Sequence, residues 1–311
     1  MLNIRFHLRL KEKMLNASFF VNAIATGNRY LSVLLLILLF SNGARSEQIK
    51  YIDPTDSVDK HGVYFVNVLK LALEKSKGQF GDYELEAVPV TMRQQRSFKS
   101  LESGLINLMW TVTSKQREQQ AYAIKVPLLK GLIGHRVLVI RKTDAAIFAA
   151  IKSLQDLAKF TAVQGHDWPD SEILEHAGLR VEKIILHNSM YKLVTSGIVD
   201  YFPRSVLEVT EELERFENDN LIIEPNHLIL YPSAIYFFVS HSNTLLANRL
   251  EVGLKIALED GSFDREFYDF PGHKKALQNV SLKNRVVHRI DNPLMPDTLP
   301  LENKALWFNV Q

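Results

Sequence analysis

Apolar and polar positions along this chain switch repeatedly between a period of two and a period near 3.6. From Glu47, "EQIKYI" reads as a strand, and "VYFVNVLKLALEKSKG" sets Phe65, Val66, Leu69, Ala72 and Leu73 on one helical stripe with Gly78 placed to end it. "YELEAVPV" alternates as a strand, "RSFKSLESG" is a short helix closed by Gly104, and "LINLMW" is a strand again. Strand, helix, strand, helix, strand implies a parallel sheet with helices on its faces.

After the strand "HRVLVIRK" (His135 to Lys142) the pattern restarts. "SLQDLAKF" opens with Ser153 and carries Asp156 three residues on, close to a capping box. "FTAVQ" is a strand, "PDSEILEHAG" a helix closed by Gly178, and "VEKIILH" a strand. "SMYKLVTSG" is a helix with Ser189 as candidate N-cap, "IVDYF" a strand and "SVLEVTEELERF" a helix. Two similar α/β units therefore share one chain. "HLILYPSAIYFFVS" joins two apolar runs through Pro232, and "TLLANRLEVGLKIALEDG" and "SFDREFYDF" are helices. The tail from Val280 has several prolines and little periodicity, and reads as an extended strap ending at "LWF" with its tryptophan packed on the body.

The 311 residues, 46% hydrophobic and 23% charged, are those of an average globular protein of one large or two ordinary domains. The N-terminus departs from that average. Arg5, Arg9, Lys11, Lys13 and Arg29 face one acid, Glu12, before the apolar run "YLSVLLLILLF". That run is short against the roughly 20 residues that span a bilayer. "SNGARS" follows, with Ala44 and Ser46 in the small positions of a cleavage site, so residues 1–46 read as a secretory signal peptide cut after Ser46. An uncleaved signal anchor is the alternative, and Met14 is an alternative start. The segment holds six of the 37 Lys/Arg and one of the 35 Asp/Glu, which leaves 31 basic and 34 acidic residues and moves the formal charge from +2 to −3. The basic balance belongs to the targeting segment, and nothing electrostatic favours nucleic acid. With no cysteine, the chain has no disulfide, no thiolate chemistry and no lipoprotein anchor.

Four stretches carry a resemblance to the family 3 extracellular solute-binding proteins: "LESGLINLMWTVTSKQREQQ", "IKSLQDLAKFTAVQGHDW", "SGIVDYFPRS" and "NRLEVGLKIALEDGSFDREFYDF". Together they cover about Glu47 to Phe270. "QGHDWPD", "DYFPR" and the "NPLMP" tail are similar to one functionally undescribed subgroup. The resemblance implies a two-lobed periplasmic-binding-protein-like α/β fold, each lobe a mostly parallel sheet flanked by helices. Lobe 1 would hold 47–138 plus 236–275, lobe 2 141–230, and 276–311 would strap the body. Hinge crossings would fall near Ile140 and Tyr231, with ligand in the cleft beyond the carboxyl ends of the strands.

On that layout the ligand residues of lobe 1 are Trp110, Thr111, Thr113 and the arginine after the turn, Arg117, whose fork of donors suits a carboxylate. The family spacing to that arginine is one residue shorter, so Lys115 is the alternative. Arg96 starts a helix at another strand end. In lobe 2, His166, Asp167 and Trp168 form a loop, while Pro169, Asp170 and Glu172 are explained by the helix start. Tyr201 and Arg204 follow the "vD" aspartate, where amino-acid binders carry an acid for the ligand's ammonium. An arginine there would repel an ammonium and favour an anionic or amine-free ligand, unless it pairs with Glu208 one turn on.

The expectation is a monomeric periplasmic protein that captures a small polar, anionic or carboxylate-bearing solute for an ABC importer, without cofactor or metal. Its partners would be that ligand and a membrane permease or receptor. Two alternatives stand beside it: an enzyme on the same scaffold using His166 as general acid or base, and a sensing module acting on a membrane receptor.

Overall fold

The computed structural model describes residues 46–54, 61–90, 92, 94–216 and 220–308. The expected signal peptide, apart from Ser46, lies outside the described residues. Among these no helix is long and apolar enough to cross a membrane. The described residues from Gln48 onward form one compact unit.

The chain opens with β1 (Glu47–Ile52), α1 (His61–Phe80), β2 (Tyr83–Val88), α2 (Gln94–Glu102), β3 (Leu108–Val112), α3 (Lys115–Gln120) and β4 (Tyr122–Ile124). It continues through β5 (His135–Arg141), α4 (Ala145–Ala149), α5 (Leu154–Leu157), β6 (Thr161–Gly165), α6 (Pro169–His176) and β7 (Arg180–Ile184). Then come α7 (His187–Ser196), β8 (Tyr201–Ser205), α8 (Val209–Phe216), β9 (Leu221–Ile223) and β10 (His227–Leu230). β11 (Ile235–Val239), α9 (Thr244–Glu259), α10 (Ser262–Asp269), α11 (Pro271–Asn279) and β12 (Val286–Arg289) complete it.

Local rules account for much of this. Ser153 Oγ accepts the Asp156 N–H at 3.2 Å and donates to its carboxylate at 2.8 Å, which pins the start of α5. Gly178 and Gly197 take the left-handed conformation, φ 81° and 74°, where α6 and α7 end. Ser189 is not an N-cap: α7 starts two residues earlier, with Leu186 at the cap position. The helix α11 fills a stretch before Val280 for which no element was expected, and the strand β12 forms within the expected extended tail. β12 lacks a strand's alternation because only His288 of its four residues is buried.

One sheet is ordered β3-β11-β4, and another β12-β10-β5-β8-β6-β7 with β9 beside β5; β1 and β2 pair separately. β6 runs parallel to β7 and β8, and β12 to β10. Parallel pairing is not general, however: β11 is antiparallel to β3 and β4, and β5 to β8, β9 and β10. Both exceptions are strands entered directly from the other lobe. Such a strand starts at the inter-lobe rim, whereas strands reached through a helix end there. The chain makes these crossings between Ile124 and His135 and between Leu230 and Ile235, and Ile140 lies inside β5.

In the first lobe α1 lies against α9. A Cβ on Gly253 would stand 1.8 Å from the Ala72 carbonyl oxygen, so only glycine permits this crossing. Tyr64, Phe65, Val68, Leu69, Ala72 and Leu73 are all buried along α1. Each large apolar side chain among them is worth about 1.5–3 kcal/mol on burial, so this stripe fixes the first lobe. Alternation in β5 sends Val137 and Val139 into the core shared with α1 and α9, and Leu138 and Ile140 to a second cluster on the opposite face of the sheet.

Candidate functional site

The parallel strands β6 and β8 end at one rim, and the loop His166–Trp168 leads from β6 into α6. A Cβ at Gly165 would lie 2.3 Å from Trp168 Cδ2, so the glycine lets the indole fold back over the strand end. The turn is held by Trp168 N to Gly165 O at 3.1 Å and by the Ser171 hydroxyl, which donates to the same carbonyl at 2.6 Å. Pro169 occupies the first helical position, where its missing N–H costs nothing.

Beneath that loop lies a buried charge network. Arg204 donates from Nε to Glu212 Oε2 at 2.7 Å and from Nη2 to Glu212 Oε1 at 2.6 Å, with Glu208 Oε2 at 2.9 Å. Its guanidinium also stands 5.1 Å from the Trp168 ring centre and 5.0 Å from that of Phe202. Glu212 further accepts from the Tyr191 hydroxyl at 2.5 Å and faces His187 Nε2 at 3.3 Å. Next to it in register, Arg136 donates to the Tyr231 hydroxyl at 3.0 Å and to Asp170, which also accepts from Tyr231. Burial alone would lower the pKa of both guanidinium groups; their acids more than offset it and raise both. Burial would likewise raise the Glu212 carboxyl, but Arg204 and the hydrogen bond from His187 outweigh it and hold that carboxyl below its ordinary range.

The facing rim comes from the first lobe. In the middle of β3, Trp110 packs on Phe65 with ring centres 5.5 Å apart. Ser114 caps α3 through the Arg117 N–H at 3.2 Å, and this places the Arg117 guanidinium against the strand. There Nη1 donates to Thr111 Oγ1 at 3.0 Å and to the Val112 carbonyl at 2.6 Å. Burial lowers the Arg117 pKa to about 10, against the opposing pull of Asp170 and Asp167.

Two adjoining cavities occupy the space between the rims. An inner one of about 250 Å³ is bounded by Phe65, Trp110 and Thr111 on one side and by Trp168, Asp170, His187, Arg204, Glu208 and Glu212 on the other. An outer one of about 590 Å³ is bounded by Ser114 to Arg117, by His166 to Pro169 and Glu172, and by Pro293 and Leu294. Trp168 and Pro169 belong to both.

The structure thus brings Trp110, Thr111, Arg117, His166, Asp167, Trp168 and Arg204 to one cleft, with Lys115 beside Arg117 in the outer wall. Three expected residues lie elsewhere. Arg96 is exposed on α2, and neither cavity includes it. Thr113 is buried and donates its hydroxyl to Glu118 at 2.8 Å. Tyr201 is buried on the opposite face of β8, with its ring centre 5.9 Å from that of Phe148.

Asp170 also differs from its reading as helix punctuation, because it is buried and paired with Arg136. Arg204 is held by Glu208 and Glu212, so it does not present a bare positive charge to a ligand amine. The i, i+4, i+8 spacing of Arg204, Glu208 and Glu212 was a visible signal, although Arg204 lies in β8 and Glu212 alone of the three lies in α8. Nothing local marked Arg136 or His187. No hydrogen bond joins the side chains of His166 and Asp167, which are both exposed, and no group of three metal-ligating residues occurs among the described residues.

Two α/β lobes joined by paired crossings, with a cleft at the strand ends, define the fold of the two-lobed periplasmic binding proteins. Solved structures share it. An ancestral arginine-binding protein bound to arginine superposes with a TM-score of 0.52 at 18% identity, over 73% of this chain and 98% of its own. The probable amino-acid ABC transporter extracellular-binding protein ytmK from Bacillus subtilis gives 0.54 at 15% identity, over 74% of this chain and 100% of its own. A histidine kinase sensor domain with similarity to periplasmic binding proteins gives 0.53 at 16% identity, over 73% and 96%. At such identities the likeness is one of fold. No family model and no curated protein matches the sequence.

Proposed function

We propose that this chain is a periplasmic solute-binding protein that captures a small polar, carboxylate-bearing ligand between its lobes and delivers it to an ABC importer. One observation carries the ligand chemistry. Of the three arginines around the cleft, Arg136 and Arg204 are held by acids of their own lobe, and their charged forms are strengthened. Arg117 stands at the outer cavity wall, where it donates to Thr111 Oγ1 and the Val112 carbonyl, and burial weakens its charged form against the pull of Asp170 and Asp167. A ligand carboxylate in the cleft would accept charge-assisted hydrogen bonds from this guanidinium, whose charged form burial weakens. On this reading the reason for an anionic group is Arg117 and not Arg204. Trp110 and Trp168 supply the apolar surface that such pockets combine with a few polar groups.

Binding without turnover suits the loop as well. His166 is exposed, and Asp167 does not orient it, so a general base has no fixed aim. Export through the N-terminal segment would put the protein where an importer draws its solutes. Thermal-shift measurements on the purified protein against L-amino acids and linear dicarboxylates test the reading. A binder present at 100 times its Kd adds about 2.7 kcal/mol of stability. Arg117→Ala should lower affinity for it by a factor of roughly 10 to 100, the loss of a hydrogen bond to a charged group worth about 1.5–3 kcal/mol. Unchanged affinity in that variant would remove the assignment.

A further inference from the structure

The tail motif "NPLMP", Asn292 to Pro296, lies in the C-terminal strap, and its Pro293 and Leu294 line the outer cavity. The strap containing it is anchored on both lobes. On the second lobe, β12 pairs with β10 from His227–Val286 to Leu230–Arg289, and Ile290 N donates to Leu230 O at 3.0 Å. Next to the second crossing, Asn292 Nδ2 donates to the Pro232 carbonyl at 2.8 Å. On the first lobe, the Leu294 carbonyl accepts the Lys115 N–H at 3.0 Å, and Lys115 pairs with Asp297 at 3.2 Å. The Thr298 hydroxyl donates to Glu118 at 2.9 Å.

The apolar contacts divide at the same place. Ile290 and Leu294 pack on the cluster formed by Leu138, Ile140 and Tyr231, while Met295 and Leu299 pack on the cluster of Phe98, Met109 and Phe238. Adjacent residues, Leu294 and Met295, therefore belong to different lobes. Farther along, the Trp307 ring covers Gly131, where a Cβ would stand 2.3 Å from it, and Phe308 N donates to Lys130 O at 2.7 Å. Those contacts tie the strap's end to the first crossing.

We propose that the strap is a third connection between the lobes, which limits how far the cleft opens, and that Pro293 and Leu294 form a specificity-determining wall that sets the longest ligand admitted. Two crossings leave a hinge free to rotate, and a third span anchored on both lobes beside the second crossing restricts that rotation. Pro293 and Leu294 line the outer cavity beside Arg117, with the Leu294 carbonyl on the Lys115 N–H, so a ligand held at Arg117 and extended along that side of the cavity meets them. The wall half of the proposal rests on the proposed ligand site, and the tether half does not.

The absence of native cysteine makes the tether directly measurable. Gln119→Cys on α3 and His176→Cys on α6, both exposed, take nitroxide labels for pulsed dipolar distance measurement without ligand. Inserting Gly-Ser-Gly after Asp291 leaves both anchors intact and adds slack between them. The expected result is a distance distribution that becomes broader and longer in the slack variant, with Asn292→Ala shifted the same way to a lesser degree. Distributions superimposable on that of the unmodified strap overturn the tether.

For the wall, linear dicarboxylates from malonate to suberate are compared by thermal shift in the full chain and in Leu294→Ala. A length cut-off that moves to longer members in Leu294→Ala supports it, and an unmoved cut-off overturns it. If no probe stabilises the unmodified chain, the ligand reading and the wall fail together, while the distance measurement still decides the tether.

Discussion

Arg204 and Glu212 meet through two parallel hydrogen bonds, 2.7 and 2.6 Å, both residues buried and eight positions apart in sequence. Glu212→Ala leaves a guanidinium buried without its main counter-charge, a change that costs about 3–5 kcal/mol where such pairs are broken. Urea denaturation should show that loss. The exposed pair Lys183–Glu175 is the control, since its two side chains are 39% and 41% exposed. Surface pairs contribute about 0–1 kcal/mol, so Glu175→Ala should barely move the midpoint.

Gly165→Ala should displace the Trp168 indole. The new Cβ would start 2.3 Å from the ring, well inside contact distance. Overpacking of this kind costs about 1–3 kcal/mol. The near-UV circular dichroism of Trp168 should change, and a ligand bound in either cavity should weaken, because that indole lines both. An unaltered spectrum with unaltered binding contradicts the role given to the glycine.

Tyr201→Phe makes the opposite forecast. The Tyr201 hydroxyl is buried with no hydrogen-bond partner. Removing an unsatisfied buried hydroxyl should be neutral or stabilising by about 1 kcal/mol, with ligand affinity unchanged. Lost affinity would return Tyr201 to the site.

Acid should destabilise the protein from near neutrality downward. Burial lowers the His135 pKa to about 4 and that of His273 to about 3 from an ordinary value of 6.5. The unfolded chain then binds protons that the native state refuses, so stability present above pH 6.5 is lost as pH falls toward 4 and 3. Melting temperature measured across that range should fall continuously, and His273→Phe should flatten the most acidic part. A flat profile from pH 6.5 to 4 in the unmodified chain contradicts the burial of both rings as neutral species.

The order of elements was legible because each obeys a local rule: the stripe of α1, the reciprocal cap at Ser153, the glycines at 178 and 197. A place at the cleft was legible for Trp168, on the loop after β6, and for Arg117, at the start of α3, from the resemblance of the turn before it. Pairing was harder to read. A strand pattern does not say that β5 and β11 run backward, since direction follows from which lobe the chain leaves. Nor does a run such as "HRVLVIR" show that Arg136 ends up inside, because its partner Asp170 is 34 residues away and meets it only once β5 and α6 share a rim. Arg204 lay between, for its acids were at helical spacing, but only folding shows that they neutralise it instead of leaving it to a ligand.

The 1.8 Å between a would-be Cβ at Gly253 and the Ala72 carbonyl has a historical meaning as well as a mechanical one. Any side chain at 253 must first push α1 away from α9, and α1 carries Phe65 into the wall of the inner cavity. Position 253 is therefore closed to gradual drift. In any lineage that keeps this helix crossing, the ligand side of the protein can diversify while this glycine stays fixed.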